Sequence, residues 1–379
     1  NTFTIRDNYM FPFNISNIGS MIPEGSIIDS EDNLYCPPAP EGVTIKSYYC
    51  GNIAEPTEST HLNVNGFVQV YYSFFKDNKN KNGNGGAVYL SLKNQQAIDT
   101  SYSINFYHSV FIKCQAQKGG GICIESLDNN HLFEFTHCTF DSNSPNSEKG
   151  GGVYIESSLS CFRFTNCLFS NNGATYGGGL YYTSDESALS GDDNSFALQL
   201  NGCHFYQNKI SEYGGAICVL VKCKASPRLI EISRCIFIRN QERDNYAEPE
   251  LEYGAAIYYS LDCQSSEEPS DSSTAIENSF GVYDCDFTCN KISNYGGAIY
   301  ILVTNNQAYK PIEISGCLFN ENSATFLSTD GVKGFGGSIC YILKKSSIST
   351  NSDPSLTIHK CRFVNCYAFK SGGSIYLSI

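Results

Sequence analysis

The chain has 379 residues, 41% hydrophobic and only 17% charged, with a net charge of −13 and a sequence pI near 4.9. That acidic balance argues against nucleic acid or an anionic membrane surface as a partner, because both would be repelled. The residues contain no apolar run of about 18 that would span a bilayer as a helix, no signal-peptide pattern and no basic tail.

Residues 1–66 are irregular and carry Pro12, Pro23, Pro37, Pro38, Pro40 and Pro56. They are expected to form an N-terminal cap or an imperfect first rung. Cys36 and Cys50 bracket a 13-residue loop and are a candidate disulfide. Asn14-Ile15-Ser16 is a sequon, so Asn14 is a candidate glycosylation site, although such triplets arise by chance in long chains.

From residue 67 onward one motif recurs nine times: Cys-x-Phe-x-x-Asn, then Gly-Gly-small-aliphatic-Tyr. The phenylalanines are Phe75, Phe111, Phe140, Phe169, Phe205, Phe237, Phe287, Phe319 and Phe363, spaced 36, 29, 29, 36, 32, 50, 32 and 44 residues apart. A constant motif with elastic spacing describes a rigid rung joined by loops of free length. Apolar pairs at alternating positions precede each Cys or Ser, as in Val68/Val70, Phe133/Phe135 and Ile312/Ile314, and aliphatic pairs follow the glycines, as in Ile122/Ile124 and Ile299/Ile301. Alternation with period two is the strand signal, and no segment has the helical period. Three short strands per turn, repeated end to end, predict an all-β chain forming a right-handed parallel β-helix of the pectin-lyase-like kind over residues 67–379. Nine rungs would make a rod of roughly 40 Å. The sequence stops inside a rung, at Ser374–Ile379, so the solenoid is expected to continue beyond residue 379.

Stacking assigns each repeated residue a place. Phe, and Cys two residues before it, point inward by strand parity. Asn three residues after Phe falls where the chain turns, and in-register amides can bond along the stack. The Gly pair permits a tight bend; Ala255 stands at the second Gly in one repeat, so the first Gly is the stricter requirement. The seven ladder cysteines read as buried thiols, since in-register parallel neighbours suit disulfide torsions poorly. Off the ladder, Cys218 with Cys223 is the better candidate bridge.

Chemistry is sparse. β-Helix lyases and hydrolases need carboxylates converging in one groove. Asp192-Asp193 lies in a Ser/Gly-rich loop. Glu242, Asp244, Glu248, Glu250 and Glu252 cluster in one insertion without a calcium-loop spacing, and loop solvation is the expected role. Gly83-Asn84-Gly85-Gly86 lacks the Lys and following helix of a phosphate loop. His108 and His137 should stack on the outer face, but Cys138 points inward, which disfavours zinc. No catalytic, cofactor or metal site is expected.

What remains is a Tyr/Cys ladder after the glycines (Tyr89, Cys123, Tyr154, Tyr181, Cys218, Tyr258, Tyr300, Cys340, Tyr376) and long insertions at two corners. The ladder either shields one face or offers an aromatic surface for glycan or protein contact. Insertions at 241–253 and 323–335 share one corner, and Tyr246, Tyr253, Phe326 and Phe335 are the candidate partner-binding residues.

In its paired Phe-x-x-Asn and Gly-Gly-Ala-Ile elements, the chain resembles the polymorphic membrane protein repeat of chlamydial autotransporter adhesins and protist surface proteins. Phe75/Asn78 with Gly85-Gly86-Ala87-Val88, and Phe287/Asn290 with Gly296-Gly297-Ala298-Ile299, match both halves; Cys114, Cys366 and Ala255 depart from them. The frequent Cys before Phe is closer to the Cys-rich protist versions. The resemblance implies an extracellular or cell-surface adhesive or antigenic rod, without enzymatic activity, contacting protein or glycan on another cell or in an extracellular assembly. A filament or coat subunit that self-associates through rung ends or lateral faces is the first alternative, and a carbohydrate-active enzyme the second.

Overall fold

The computed structural model describes residues 48–49, 60–61, 68–71, 74–92, 103–126, 131–143, 148–186, 196–223, 227–242, 252–263, 278–304, 311–328, 331–344 and 356–379. Among them the regular elements are strands. Three parallel sheets run the length of the molecule. The first has ten strands, from Tyr48–Tyr49 and Val68–Tyr71 to Leu356–His359. The second has nine, from Phe74–Lys76 to Arg362–Val364, and the third has ten, from Thr60–His61 to Ile375–Ser378. Each strand pairs with its equivalent in the rungs before and after, so the fold is a parallel β-helix. Rungs are numbered 1 to 9 below, by the phenylalanines Phe75 to Phe363.

The phenylalanine column is the spine of the interior. Phe140, Phe169 and Phe205 stack at 4.8 and 4.7 Å with rings within 13° of parallel. The same stacking runs unbroken from Phe75 on Phe111 to Phe319 on Phe363. A second column, Phe106, Phe135 and Phe164, rises from the first sheet at 4.9 and 4.4 Å. Burying each such ring contributes about 1.5–3 kcal/mol, and face-offset stacking at this spacing follows directly from the distance between strands.

Each rung turns three times, and among the described residues each turn uses a residue with positive φ. In the third rung these are His137 (φ 53°) before Cys, Ser142 (φ 53°) after Phe, and Gly150 (φ 66°), the first of the glycines. Only the last corner demands glycine. A Cβ on Gly150 would lie 2.3 Å from the carbonyl oxygen of Val153, whereas polar side chains fill the other two. At the second glycine the obstacle is the next rung: a Cβ on Gly215 would sit 1.9 Å from the carbonyl oxygen of Ala255. Ala255 itself is tolerated, buried beside Ile210, Ile292 and Ala324.

Left-handed corners interrupt the sheet ladders, so corner backbone groups need other partners. Asn supplies them at the second corner. The Asn208 side chain donates to Phe169 O (2.9 Å) and Asn240 Oδ1 (3.0 Å), while its own Oδ1 accepts from Asn172 N (3.1 Å) and Asn172 Nδ2 (3.0 Å). Asn143, Asn172, Asn240 and Asn290 repeat the pattern, and Asn322 keeps the bond to Phe287 O and accepts from Asn290. Cys114 and Cys366, which replace Asn, keep the donor half of this role through Sγ, to Phe75 O (3.7 Å) and Phe319 O (3.4 Å).

The ladder cysteines are free thiols at the first corner, buried in all but Cys361, and they do more than fill space. Cys167 Sγ donates to Phe135 O at 3.3 Å and Cys203 Sγ to Phe164 O at 3.4 Å, each in the preceding rung. Cys203 N donates in turn to Cys235 Sγ at 3.4 Å.

The proposed Cys218–Cys223 bridge is not formed. Cys218 is a free, buried thiol, whereas Cys223 is disulfide-bonded. The two lie five residues apart on the strand Ile217–Cys223, so odd and even positions put them on opposite faces. Across the sheet, Cys223 stands opposite Cys263. Cys36, Cys50 and Asn14 lie outside the described residues.

Asn208→Ala, which leaves Asn172 N–H and Phe169 C=O buried and unpaired, should destabilise the protein by about 2–4 kcal/mol; urea denaturation followed by far-UV circular dichroism measures it. Burial pushes the Cys114 thiol up to about 12. In native protein at pH 8, a thiol reagent should modify the partly exposed Cys289 well before the buried Cys114, Cys138, Cys167 or Cys203, which solvent does not reach, and peptide mapping locates the adducts.

Candidate functional site

Outside the third sheet lies a second apolar cluster, built from the Tyr/Cys ladder. Tyr154, Tyr181, Cys218, Tyr258, Tyr300 and Cys340 are all at most 7% exposed. They are in register, as Cys218 opposite Tyr258 and Tyr258 opposite Tyr300 show. These rings do point away from the solenoid axis, but they are not a surface. The residue just before each glycine pair covers them. Isolated bridges align these covering residues as Lys118, Lys149, Tyr176, then Tyr213, Tyr253, Tyr295, Phe335 and Ser371.

The covering column changes character along the rod. In rungs 2 and 3 it is cationic: Lys118 Nζ lies 4.9 Å from the Tyr154 ring centre and Lys149 Nζ 5.5 Å from that of Tyr181. Lys118 also pairs with Glu125 and Glu156 at 3.7 and 3.8 Å. From rung 4 to rung 8 it is aromatic. Tyr176 and Tyr213 lie 5.2 Å apart, Tyr213 and Tyr253 5.3 Å, Tyr253 and Tyr295 5.1 Å, and Tyr295 and Phe335 4.9 Å. All five rings are half-buried. Their inner edges pack on the ladder beneath, as Tyr213 does on Tyr258 (4.8 Å) and Phe335 on Tyr376 (4.8 Å). Their outer edges form a strip of roughly 20 Å, five rings at strand spacing.

The hydroxyls of this face remain protonated at neutral pH. Burial, followed by the neighbouring Tyr295 and Tyr213 rings, pushes Tyr253 up to about 12. Tyr176 is raised by burial and by its bond to Glu212, whose Oε2 it meets at 2.7 Å. The strip therefore offers ring edges and neutral donors flanked by carboxylate, the chemistry that receives a sugar or an apolar protein side chain.

Two of the four candidate contact residues, Tyr253 and Phe335, meet in this strip, joined through Tyr295. Phe326 begins the short hairpin Phe326–Ser328/Gly331–Lys333, carried by the rung 8 insertion. Tyr246 lies outside the described residues. Tyr176, Tyr213 and Tyr295 escaped the sequence analysis, although an aromatic directly before Gly-Gly in five successive repeats was there to be noticed.

At the same corner the insertion after Glu242 corrects another expectation. Glu242 and Glu252 are not solvated loop residues. Glu252 is 2% exposed, and Ser293 donates to Glu242 through its backbone N–H (2.9 Å) and its hydroxyl. Burial, and then the hydrogen bond and charge of Glu242, hold Glu252 far above the carboxylate range, at about 9. His108 and His137 stack as expected, at 4.9 Å, and burial lowers the His108 pKa. Among the described residues no three His, Cys, Asp or Glu side chains converge as metal ligands, and no helix is long and apolar enough to cross a membrane.

No family model matches the chain, and neither a curated protein nor a solved structure does.

Because the folded state holds Glu252 protonated while the unfolded chain titrates near 4.5, its contribution is fully present below pH 4.5. It declines as pH rises toward 9. In chelator-containing buffer Glu252→Gln should leave stability unchanged at pH 4 and raise it by about 1–3 kcal/mol at pH 8; denaturant titrations at the two pH values test this.

Proposed function

We propose that the chain is a non-enzymatic surface or secreted rod of the adhesin or antigen type, in which the β-helix is a rigid spacer and the aromatic strip with its neighbouring insertions makes the contact. The observation that carries the reading is the half-exposed run Tyr176, Tyr213, Tyr253, Tyr295 and Phe335, held at strand spacing across rungs 4 to 8. A soluble fold ordinarily buries or scatters such rings; a contiguous exposed row marks contact. Loops on a stiff scaffold are where binding residues gather. The resemblance to polymorphic membrane protein repeats supports the same reading, as does the net charge of −13, which disfavours nucleic acid.

Tyr253→Ala/Tyr295→Ala removes the centre of the strip. It should weaken binding to a glycan array or to intact cells at least about tenfold, the loss expected from two ring contacts, while far-UV circular dichroism keeps the β-helix signature. Binding undiminished in the variant, or none for the native chain, would sink the adhesin reading; reversible end-to-end growth in light scattering would favour a filament subunit instead.

A further inference from the structure

The corner between the second and third sheets has the same pattern in rungs 5 and 7, Ile210-Ser211-Glu212-Tyr213 and Ile292-Ser293-Asn294-Tyr295, differing only at Glu212 and Asn294. Rung 6 breaks the pattern. Glu242 takes the isoleucine position, in register with Ile210, and the insertion returns at Glu252-Tyr253. The bridges Tyr213 to Tyr253 to Tyr295 align Glu212, Glu252 and Asn294 in one column, as do the bonds Tyr253 N to Glu212 O and Tyr295 N to Glu252 O. Two carboxyl groups are thereby brought together on one rung, with a Ser on either side.

The polar accounting around them does not close. Glu252 Oε2, both amide atoms of Asn294 and Ser211 Oγ are buried without a hydrogen-bond partner. Asn294 is 0% exposed. By backbone register its column neighbours are Glu252 in rung 6 and Gly334, which has no side chain, in rung 8. No Lys or Arg ion pair to Glu242 or Glu252 is present among the described residues. Buried polar atoms are nearly always satisfied, and orphaned oxygens on three successive rungs around two carboxyls call for a shared partner.

We propose that Glu242, Glu252 and Asn294, with Ser211 at the edge, form a binding site for a divalent cation of the calcium class. The ligand set is all oxygen, which selects hard cations over zinc or copper. The donors come from three rungs and differ in type, and such irregular sites suit calcium, which accepts six to eight oxygens, better than magnesium with its strict octahedron. Water would complete the shell. Asn294 contributes Oδ1, its amide orientation being set by the ion. Bound there, the ion would pin both ends of the rung 6 insertion beside the aromatic strip at Tyr253 and Tyr295.

The test uses the whole chain, freed of metal by chelator, titrated with calcium chloride alone by calorimetry and with terbium, whose emission the adjacent tyrosines sensitise. One saturable site is expected, with a dissociation constant on the order of 10⁻⁴ to 10⁻³ M for two carboxylates, and calcium should quench the terbium signal by displacement. Glu252→Gln should weaken the site at least about tenfold, whereas Glu148→Gln, elsewhere on the surface, should not change it. Asn294→Asp adds a third carboxylate and should tighten calcium binding severalfold, since ligand charge sets affinity. Absence of a saturable calcium site, binding unchanged in Glu252→Gln, or an Asn294→Asp chain that folds without gaining affinity would each overturn the proposal; a misfolded Glu252→Gln leaves the Asn294→Asp titration to decide.

Discussion

Like must stack on like at the spacing of hydrogen-bonded strands. That one constraint governs the molecule. Once three parallel sheets lock rung to rung, any residue type recurring at a motif position becomes a continuous column, and its chemistry is multiplied or penalised along the length of the rod. Phenylalanine profits, because its ring stacks face to face at 4.7–4.9 Å along the column from Phe140 to Phe237. Charge does not: a column of buried carboxylates would repel itself, and the interior columns are made of Phe, Ile, Val, Leu, Cys and Asn.

Corners decide what the columns contain. A parallel ladder satisfies its own backbone along the strands but not where the chain turns through positive φ. At one corner Asn bridges from rung to rung through both halves of its amide; at another the thiol of Cys does the same with a weaker donor and acceptor. The third corner leaves no room for a side chain and takes Gly. The three residue types that define the repeat are thus three answers to one problem, the unpaired groups of a bend. This also explains why Cys can replace Asn at Cys114 and Cys366: both side chains can donate to the phenylalanine carbonyl below.

The proposed contacts concentrate where the repetition is broken. Along the third sheet the residue before the glycines is free of the interior and varies, from lysines in rungs 2 and 3 to a run of aromatics in rungs 4 to 8, so one side of the rod grades from charged to apolar. The insertion in rung 6 deletes a Ser from its column and plants two carboxyl groups in an apolar corner. Both features sit together, next to Tyr253, on a scaffold too regular to have produced either by packing alone.

The repeat itself, its three strands, the inward Phe and Cys and the Asn at the turn were legible from residue spacing, because strand parity and in-register stacking leave each motif position a single direction to face. Parity likewise rules out a Cys218–Cys223 bridge, which chain proximity alone had favoured. What parity cannot say is how far an outward side chain is from water. Tyr154, Tyr258 and Tyr300 point out of the solenoid and are still buried, since Lys118, Tyr213 and Tyr253, each just before the first glycine of the preceding rung, fold over them from a neighbouring corner. Glu242 and Glu252 are ten residues apart and looked solvated. Only the closure of the insertion on its own rung, between Ser211 and Ser293, brought them together, because the ends of a loop are joined by the scaffold and not by anything written inside the loop.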